Sequence, residues 1–216
     1  KSLMVWAGRL PPDWSGSALR IEDGFLRSRG LGADLVPPLS LVADDLGIYY
    51  DPGRESRLER LILSGPPPGG AARAARLRAQ ILAAGVSKYN LPGSLSDLPE
   101  GHRILVPGQV EDDASIRLGA GEVRTNLALL QAVRSAHPRA VLVYKPHPDV
   151  EAGLRPGAIA PDSLRGLADV VATRADPLAL LAACDEVWTI TSLLGFEALL
   201  RGKPVTCLGA PFYAGW

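Results

Sequence analysis

Apolar residues along this chain come in two rhythms. Short unbroken apolar runs bounded by Gly, Pro or charge recur at 3–6, 18–21, 103–107, 140–144, 170–171, 186–190 and 204–208, and predict buried strands. Between the later runs the spacing turns helical. Residues 122–136 put Leu127, Leu130 and Val133 on one side, 177–183 opens behind Asp176 with Pro177 in first position, and 193–200 follows Thr191-Ser192. Strands alternating with helices of this length predict βαβ units on a parallel sheet. The first third reads differently. Runs at 39–42 and 48–50 flank Asp44-Asp45-Leu46-Gly47 and predict a hairpin or bent strand pair. Residues 56–63 place Leu58, Leu61 and Ile62 on one helical face behind Ser56 as a candidate cap.

The clearest break is Ser64-Gly65-Pro66-Pro67-Pro68-Gly69-Gly70, stiff in the middle and loose at its end. An Ala- and Arg-rich stretch, 71–85, follows with high helix propensity. Its arginines either contact a polyanion or solvate an exposed face. The expected organisation is an α/β region over 1–68, a linking helix region over 69–102 and a Rossmann-like domain over 103–216.

Composition narrows the class. A chain of 216 residues, 47% of them hydrophobic, can bury a sizeable core. Lys+Arg and Asp+Glu are both 23, so no general nucleic-acid footprint exists, although a local basic pocket can. Cys184 and Cys207 lie in apolar runs and read as core thiols of a reducing compartment rather than a disulfide. No apolar run approaches the ~20 residues of a membrane span. The expectation is a cytoplasmic protein. Lys1 is not an initiator and Trp216 stops in mid-loop, so a fragment of a longer chain is expected.

Candidate chemistry gathers where strands end, at the crevice in which open parallel sheets bind ligands. After 103–107 comes Gly108-Gln109-Val110-Glu111-Asp112-Asp113-Ala114-Ser115, three adjacent carboxylates that need water or a cation to offset their repulsion. A solvated turn and a reactive cluster both fit. After 140–144 comes Lys145-Pro146-His147-Pro148-Asp149. Prolines on both sides pre-order the backbone around one imidazole, at ~0.4–1 kcal/mol each. That suits binding of an anion or leaving group. After 186–190 come Thr191-Ser192, two hydroxyls at a helix start where phosphate can bind, although an ordinary cap is equally written. Glu197, in that helix's second turn, is placed to accept from ribose hydroxyls. His102 and His137 have no partners near them in sequence. Together the three strand ends describe a nucleotide-linked donor and a group able to react at its sugar carbon.

Several stretches carry a specific resemblance. Arg20-Ile-Glu-Asp-Gly-Phe-Leu-Arg-Ser28, Ser40-Leu-Val-Ala-Asp-Asp-Leu-Gly-Ile-Tyr-Tyr50, Gly108-Gln-Val-Glu-Asp-Asp-Ala-Ser115, Tyr144-Lys-Pro-His-Pro-Asp149, Thr191-Ser-Leu-Leu-Gly-Phe-Glu-Ala198 and Pro211-Phe-Tyr-Ala-Gly-Trp216 resemble capsule polysaccharide synthesis proteins of the KpsC type. The resemblance implies an α/β, GT-B-like glycosyltransferase variant of two Rossmann-like halves, with residues 1–68 on the acceptor side and the donor nucleotide on 103–216. It implies a retaining β-Kdo transferase that uses CMP-Kdo to extend a lyso-phosphatidylglycerol-linked Kdo acceptor at the inner face of the bacterial inner membrane. Such proteins often carry two related modules, and this chain has room for one.

Carried over, a Gln-x-x-x-Asp pattern falls on Gln109 and Asp113, making Asp113 the expected nucleophile and Asp112 its alternative. His147 and Pro148 are expected at the CMP phosphate, with Thr191, Ser192 and Glu197 holding phosphate and ribose. Glu22 is the expected acid/base. Arg27, Arg29 and Lys145 are expected to neutralise the Kdo carboxylate or phosphate. The implied partners are a nucleotide-sugar donor, a glycolipid acceptor, the inner membrane and capsule assembly proteins, with no nucleic acid. No cofactor and no metal are expected, because the basic groups suffice for a monophosphate, although Asp44-Asp45 and Glu111-Asp112-Asp113 could hold Mg²⁺. Other readings stay open: a nucleotide-sugar epimerase, an inverting transferase on the same plan, or a non-catalytic nucleotide-binding module of a capsule assembly complex.

Overall fold

The computed structural model describes every residue except 1, 12, 32–34, 96 and 216, so Trp216 of the terminal motif lies outside the described residues. The chain divides into two compact units, Lys1–Tyr89 and Asn90–Trp216. Residues 90–102 belong to the second, where Ser94 bridges Ala175.

In the first unit, strands β1 (Ser2–Trp6), β2 (Ser17–Asp23) and β3 (Leu41–Asp44) form one sheet. β1 pairs parallel to β2, and β2 pairs antiparallel to β3. The expected second arm of a hairpin at 48–50 is a turn instead. The cause is Asp44, which is buried and spends its carboxylate on backbone. Its Oδ1 accepts from the Leu46 and Gly47 amides, both at 2.8 Å, and its Oδ2 from the Arg57 amide at 2.8 Å. That turns the chain into helix α1 (Arg57–Leu63), capped by Ser56 as its sequence predicts. Helix α2 (Gly70–Ala84) follows the Pro-rich break and buries none of its residues in this unit.

The second unit is a five-stranded, all-parallel sheet. Its strands are β4 (Arg103–Pro107), β5 (Val141–Lys145), β6 (Val170–Val171), β7 (Glu186–Thr189) and β8 (Val205–Cys207), in the order β6-β5-β4-β7-β8. Residue alternation sends the sheet's side chains to two cores. Ile104, Val106, Leu142 and Tyr144 pack with Ile116 of helix α3 (Ala114–Gly119) and with Leu129, Leu130 and Val133 of α4 (Asn126–Ala136). Leu105, Val143 and Val187 pack with Leu180, Leu181 and Cys184 of and after α7 (Pro177–Ala183) and with Ala198 of α8 (Leu193–Leu200). Short helices α5 (Pro148–Glu151) and α6 (Pro161–Leu164) lie in the β5–β6 connection. Helices on both faces and strands buried from both sides make this a doubly wound domain. The strand order reverses between β4 and β7, which marks the edge beyond their carboxyl ends as the ligand crevice.

Candidate active site

The three polar clusters leave β4, β5 and β7 at one edge of the sheet, because parallel neighbours end together. They are laced by hydrogen bonds. The Gly108 amide donates to the Lys145 carbonyl at 2.7 Å, tying the β4 loop to the end of β5. Gln109 spans the switch point with its side chain: Nε2 donates to Thr191 Oγ1 at 2.9 Å, and Oε1 accepts from the Thr191 amide at 2.9 Å and from Thr189 Oγ1 at 3.3 Å. Thr189 Oγ1 in turn accepts from the Ser192 amide at 3.1 Å. Gln109, Thr189 and Thr191 are all buried. Buried amides of this kind are costly unless satisfied, so Gln109 holds the loop ahead of α8 in one register.

Asn126 is the second knot. It is 1% exposed and its whole amide is engaged: Oδ1 accepts from the Gln109 amide, and Nδ2 donates to the Gln109 and Gly157 carbonyls, each at 2.8 Å. Gly157 sits at φ +131°, and a methyl there would meet Gln109 O at 2.7 Å and Asn126 Nδ2 at 2.9 Å. Only glycine fits that approach.

The acid triplet is divided among three tasks. Glu111 Oε1 accepts from the Asn126 amide at 2.7 Å and caps α4 together with Thr125. Asp112 is exposed and pairs with Arg155 at 2.6 Å. Asp113 is half-buried and is the N-cap of α3, a helix that periodicity did not foretell. Its Oδ1 accepts from the Ser115 amide at 2.9 Å and Ser115 Oγ at 2.7 Å. Its Oδ2 accepts no hydrogen bond among the described residues. A carboxylate oriented through one oxygen keeps the other for chemistry.

His147 is the N-cap of α5, with Pro148 in first position. Its Nδ1 accepts from the Asp149 amide at 3.1 Å, so the neutral ring carries its proton on Nε2 as a donor. Lys145 is buried; its Nζ donates to the Pro146 carbonyl at 3.2 Å and lies 3.4 Å from Glu151 Oε2. Glu151 also accepts from the Arg174 amide at 2.9 Å, and Arg174 stands at φ +48°. Ser192 caps α8, accepting from the Leu194 amide at 3.2 Å, while Tyr213 donates its hydroxyl to the Ser192 carbonyl. The Tyr213 ring lies over Gly195, where a methyl would collide with it, and burial raises the tyrosine's pKa well above its ordinary value. Glu197 is buried in the second turn of α8.

Beyond the ends of β5 and β6 lies a cavity of about 490 Å³. Its walls include Tyr144, Pro146, Ile159 and Leu164, with Glu151, Thr173 and Arg174 as polar groups. Burial pushes the Tyr144 hydroxyl far above its ordinary pKa, so it stays protonated.

Glu22, Arg27 and Arg29 belong to the first unit. Glu22 is the next-to-last residue of β2 and accepts from the Asp23 amide at 3.0 Å. Arg27 is buried and committed inward: Nε to Asp23 at 2.5 Å, and one terminal nitrogen to Ser28 Oγ at 3.0 Å and the Val36 carbonyl at 2.9 Å. Arg29 is exposed. His102, without neighbours in sequence, lies 2.8 Å from Glu186 at the opposite edge of the second unit's sheet, and His137 packs edge-on against Trp188. Among the described residues no cluster of three or more His, Cys, Asp or Glu could hold a metal.

Two structures of Thermosulfurimonas dismutans KpsC share this architecture. The beta Kdo 2,7 transferase matches with a TM-score of 0.77 and 39% identity, covering 100% of this chain and 67% of that one. The beta Kdo 2,4 transferase matches at 0.83 and 37%, covering 94% and 65%. The fold is thus that of the KpsC glycosyltransferase domains, an α/β plan with a parallel five-stranded sheet. The family model for capsule polysaccharide biosynthesis proteins matches residues 16–94 and 95–216, and the chain belongs to that family. Capsule polysaccharide modification protein LipA of Neisseria meningitidis serogroup A is 51% identical over 201 residues, covering 92% of this chain and 29% of LipA. Lipopolysaccharide-processing protein LpsZ of Rhizobium meliloti is 47% identical over 204 residues, covering 91% of this chain and 46% of LpsZ. The chain therefore spans less than half the length of these curated relatives.

Proposed function

We propose that this chain is a retaining glycosyltransferase module that moves β-Kdo from CMP-Kdo to a phosphatidylglycerol- or lyso-phosphatidylglycerol-linked Kdo acceptor during capsule linker synthesis. What carries the reading is one arrangement: the loops bearing Asp113, His147 and Ser192 leave neighbouring parallel strands at one edge and are laced across the switch point by Gln109. The cytidylate would lie at that edge, with its ribose toward Glu197 and its phosphate at the Ser192 turn and His147. The observed role of Gln109 is to hold that turn in place.

The chemistry runs in two displacements. An oxygen of Asp113 attacks the anomeric carbon from the face opposite the cytidylate. The carbon–oxygen bond to phosphate breaks with its electron pair, releasing CMP and leaving a Kdo ester on Asp113. An acceptor hydroxyl then attacks the same carbon, releasing its proton to solvent, and the bond to Asp113 returns its electrons to the carboxylate. Two inversions give retention. CMP is a good leaving group, so its departure calls for charge neutralisation by the imidazole N–H, the Lys145 ammonium and the α8 terminus, and no metal step is required. Asp113 is preferred to Asp112 because the latter's carboxylate is paired with Arg155. The module would work against the inner face of the inner membrane, beside other capsule assembly proteins. No helix among the described residues is long and apolar enough to cross a membrane.

The test is to supply CMP-Kdo and a synthetic β-Kdo-lipid acceptor, follow CMP release, and read the anomeric configuration of the product by NMR. The reading predicts a β-linked product from the β-linked donor, lost in Asp113→Asn. An α-linked product, or transfer undiminished in that variant, would refute it.

A further inference from the structure

Resting on that reading, we infer that Arg155 is the residue that recognises the carboxylate of the donor sugar, and that Asp112 is the positioning residue that holds it ready. Kdo carries its carboxylate directly on the anomeric carbon, the one attacked. An anionic nucleophile must therefore approach a carbon flanked by a second anion, and the two repel unless a cation lies between them. The site's cations are unequal to this. Lys145 is buried and turned toward Glu151 and the Pro146 carbonyl. Arg155 is different on every count. It comes from the Gly/Pro-rich loop after α5, pinned there by the Glu111 amide donating to the Pro156 carbonyl at 3.1 Å. Its guanidinium reaches back to the acid cluster, 2.6 Å from Asp112 Oδ1.

Both partners remain open to solvent, with side chains 40% and 56% exposed. An exposed pair of this kind contributes little by itself and exchanges readily for a better anion. The hydrogen bond that Arg155 donates to Asp112, with the fields of Asp112, Asp113 and Asp149 added, raises the Arg155 pKa above its ordinary value. A guanidinium presents its N–H groups as a planar fork, so it can keep Asp112 on one side and take a sugar carboxylate on the other. Arg155 was not singled out by any sequence pattern, because its loop has none.

The experiment compares CMP with CMP-Kdo by calorimetric titration of the whole chain. Arg155→Ala should leave the Kd for CMP within about twofold and weaken CMP-Kdo by about 10- to 100-fold, the range of a lost charge-assisted hydrogen bond. Arg155→Lys should recover part of that, since an ammonium supplies charge without the fork. Equal losses for CMP and CMP-Kdo, or no loss for either, would overturn the inference and leave the transferase reading standing. A wild-type chain that binds neither ligand would overturn both.

Discussion

Gln109→Met is the substitution that most sharply tests whether the switch point is held as described. Methionine keeps the length of the side chain and removes its amide. Three hydrogen bonds go: those with Thr191 Oγ1 and the Thr191 amide at 2.9 Å, and the weaker one with Thr189 Oγ1 at 3.3 Å. The hydroxyls can turn elsewhere, but the buried Thr191 amide has no substitute acceptor. Two well-formed bonds at ~1 kcal/mol each, with another ~1 kcal/mol for the stranded donor, give about 3 kcal/mol. At ~3–4 °C per kcal/mol for a chain of this size, the second unit should melt about 10 °C lower by calorimetry. Thr191→Val removes the same hydroxyl from the other side. The double variant should therefore be more stable than the sum of the singles implies, by about 1 kcal/mol. A Gln109→Met protein melting within about 2 °C of wild type, or strict additivity in the cycle, would refute the staple.

Other consequences are as direct. Gly157→Ala forces a methyl against Gln109 O and Asn126 Nδ2 at a positive φ, and should cost about 2–4 kcal/mol in urea unfolding; a loss below about 1 kcal/mol would show that the loop yields. Burial pushes the Cys184 thiol from 9.0 to about 11. The folded state then holds a proton that the unfolded chain releases, so this stability is complete below pH 9 and declines as pH rises toward 11. Cys184→Ala should flatten that decline by about 1.4 kcal/mol per pH unit, and an unchanged slope would refute the assignment.

Much of the second unit was legible because its signals are local. Apolar runs of four or five residues mark strands buried on both faces, and Asp176-Pro177 and Ser192 announce α7 and α8 in the cap positions the structure confirms. Helix α3 escaped, since six residues give too little periodicity and its cap, Asp113, reads as one of three like acids. The triplet's division was equally hidden. Glu111 is claimed by Asn126 and Asp112 by Arg155, partners 15 and 43 positions away that no spacing rule connects. The Thr125-Asn126 pair ahead of an amphipathic helix was a usable cap signal for where α4 starts, but not for the knot that Asn126 ties. The supposed hairpin at 48–50 failed for a similar reason: Asp44 captures two amides beyond it, and that outweighs the strand propensity of Ile48-Tyr49-Tyr50.

The central claim is that Asp113 becomes covalently bonded to the sugar. Intact-mass spectrometry of the chain incubated with CMP-Kdo and no acceptor, followed by peptide mapping, examines it without intermediaries. The account predicts a Kdo-sized adduct on the peptide containing Asp113, absent from Asp113→Ala. An adduct that persists in that variant, or that maps to Asp112, would contradict it.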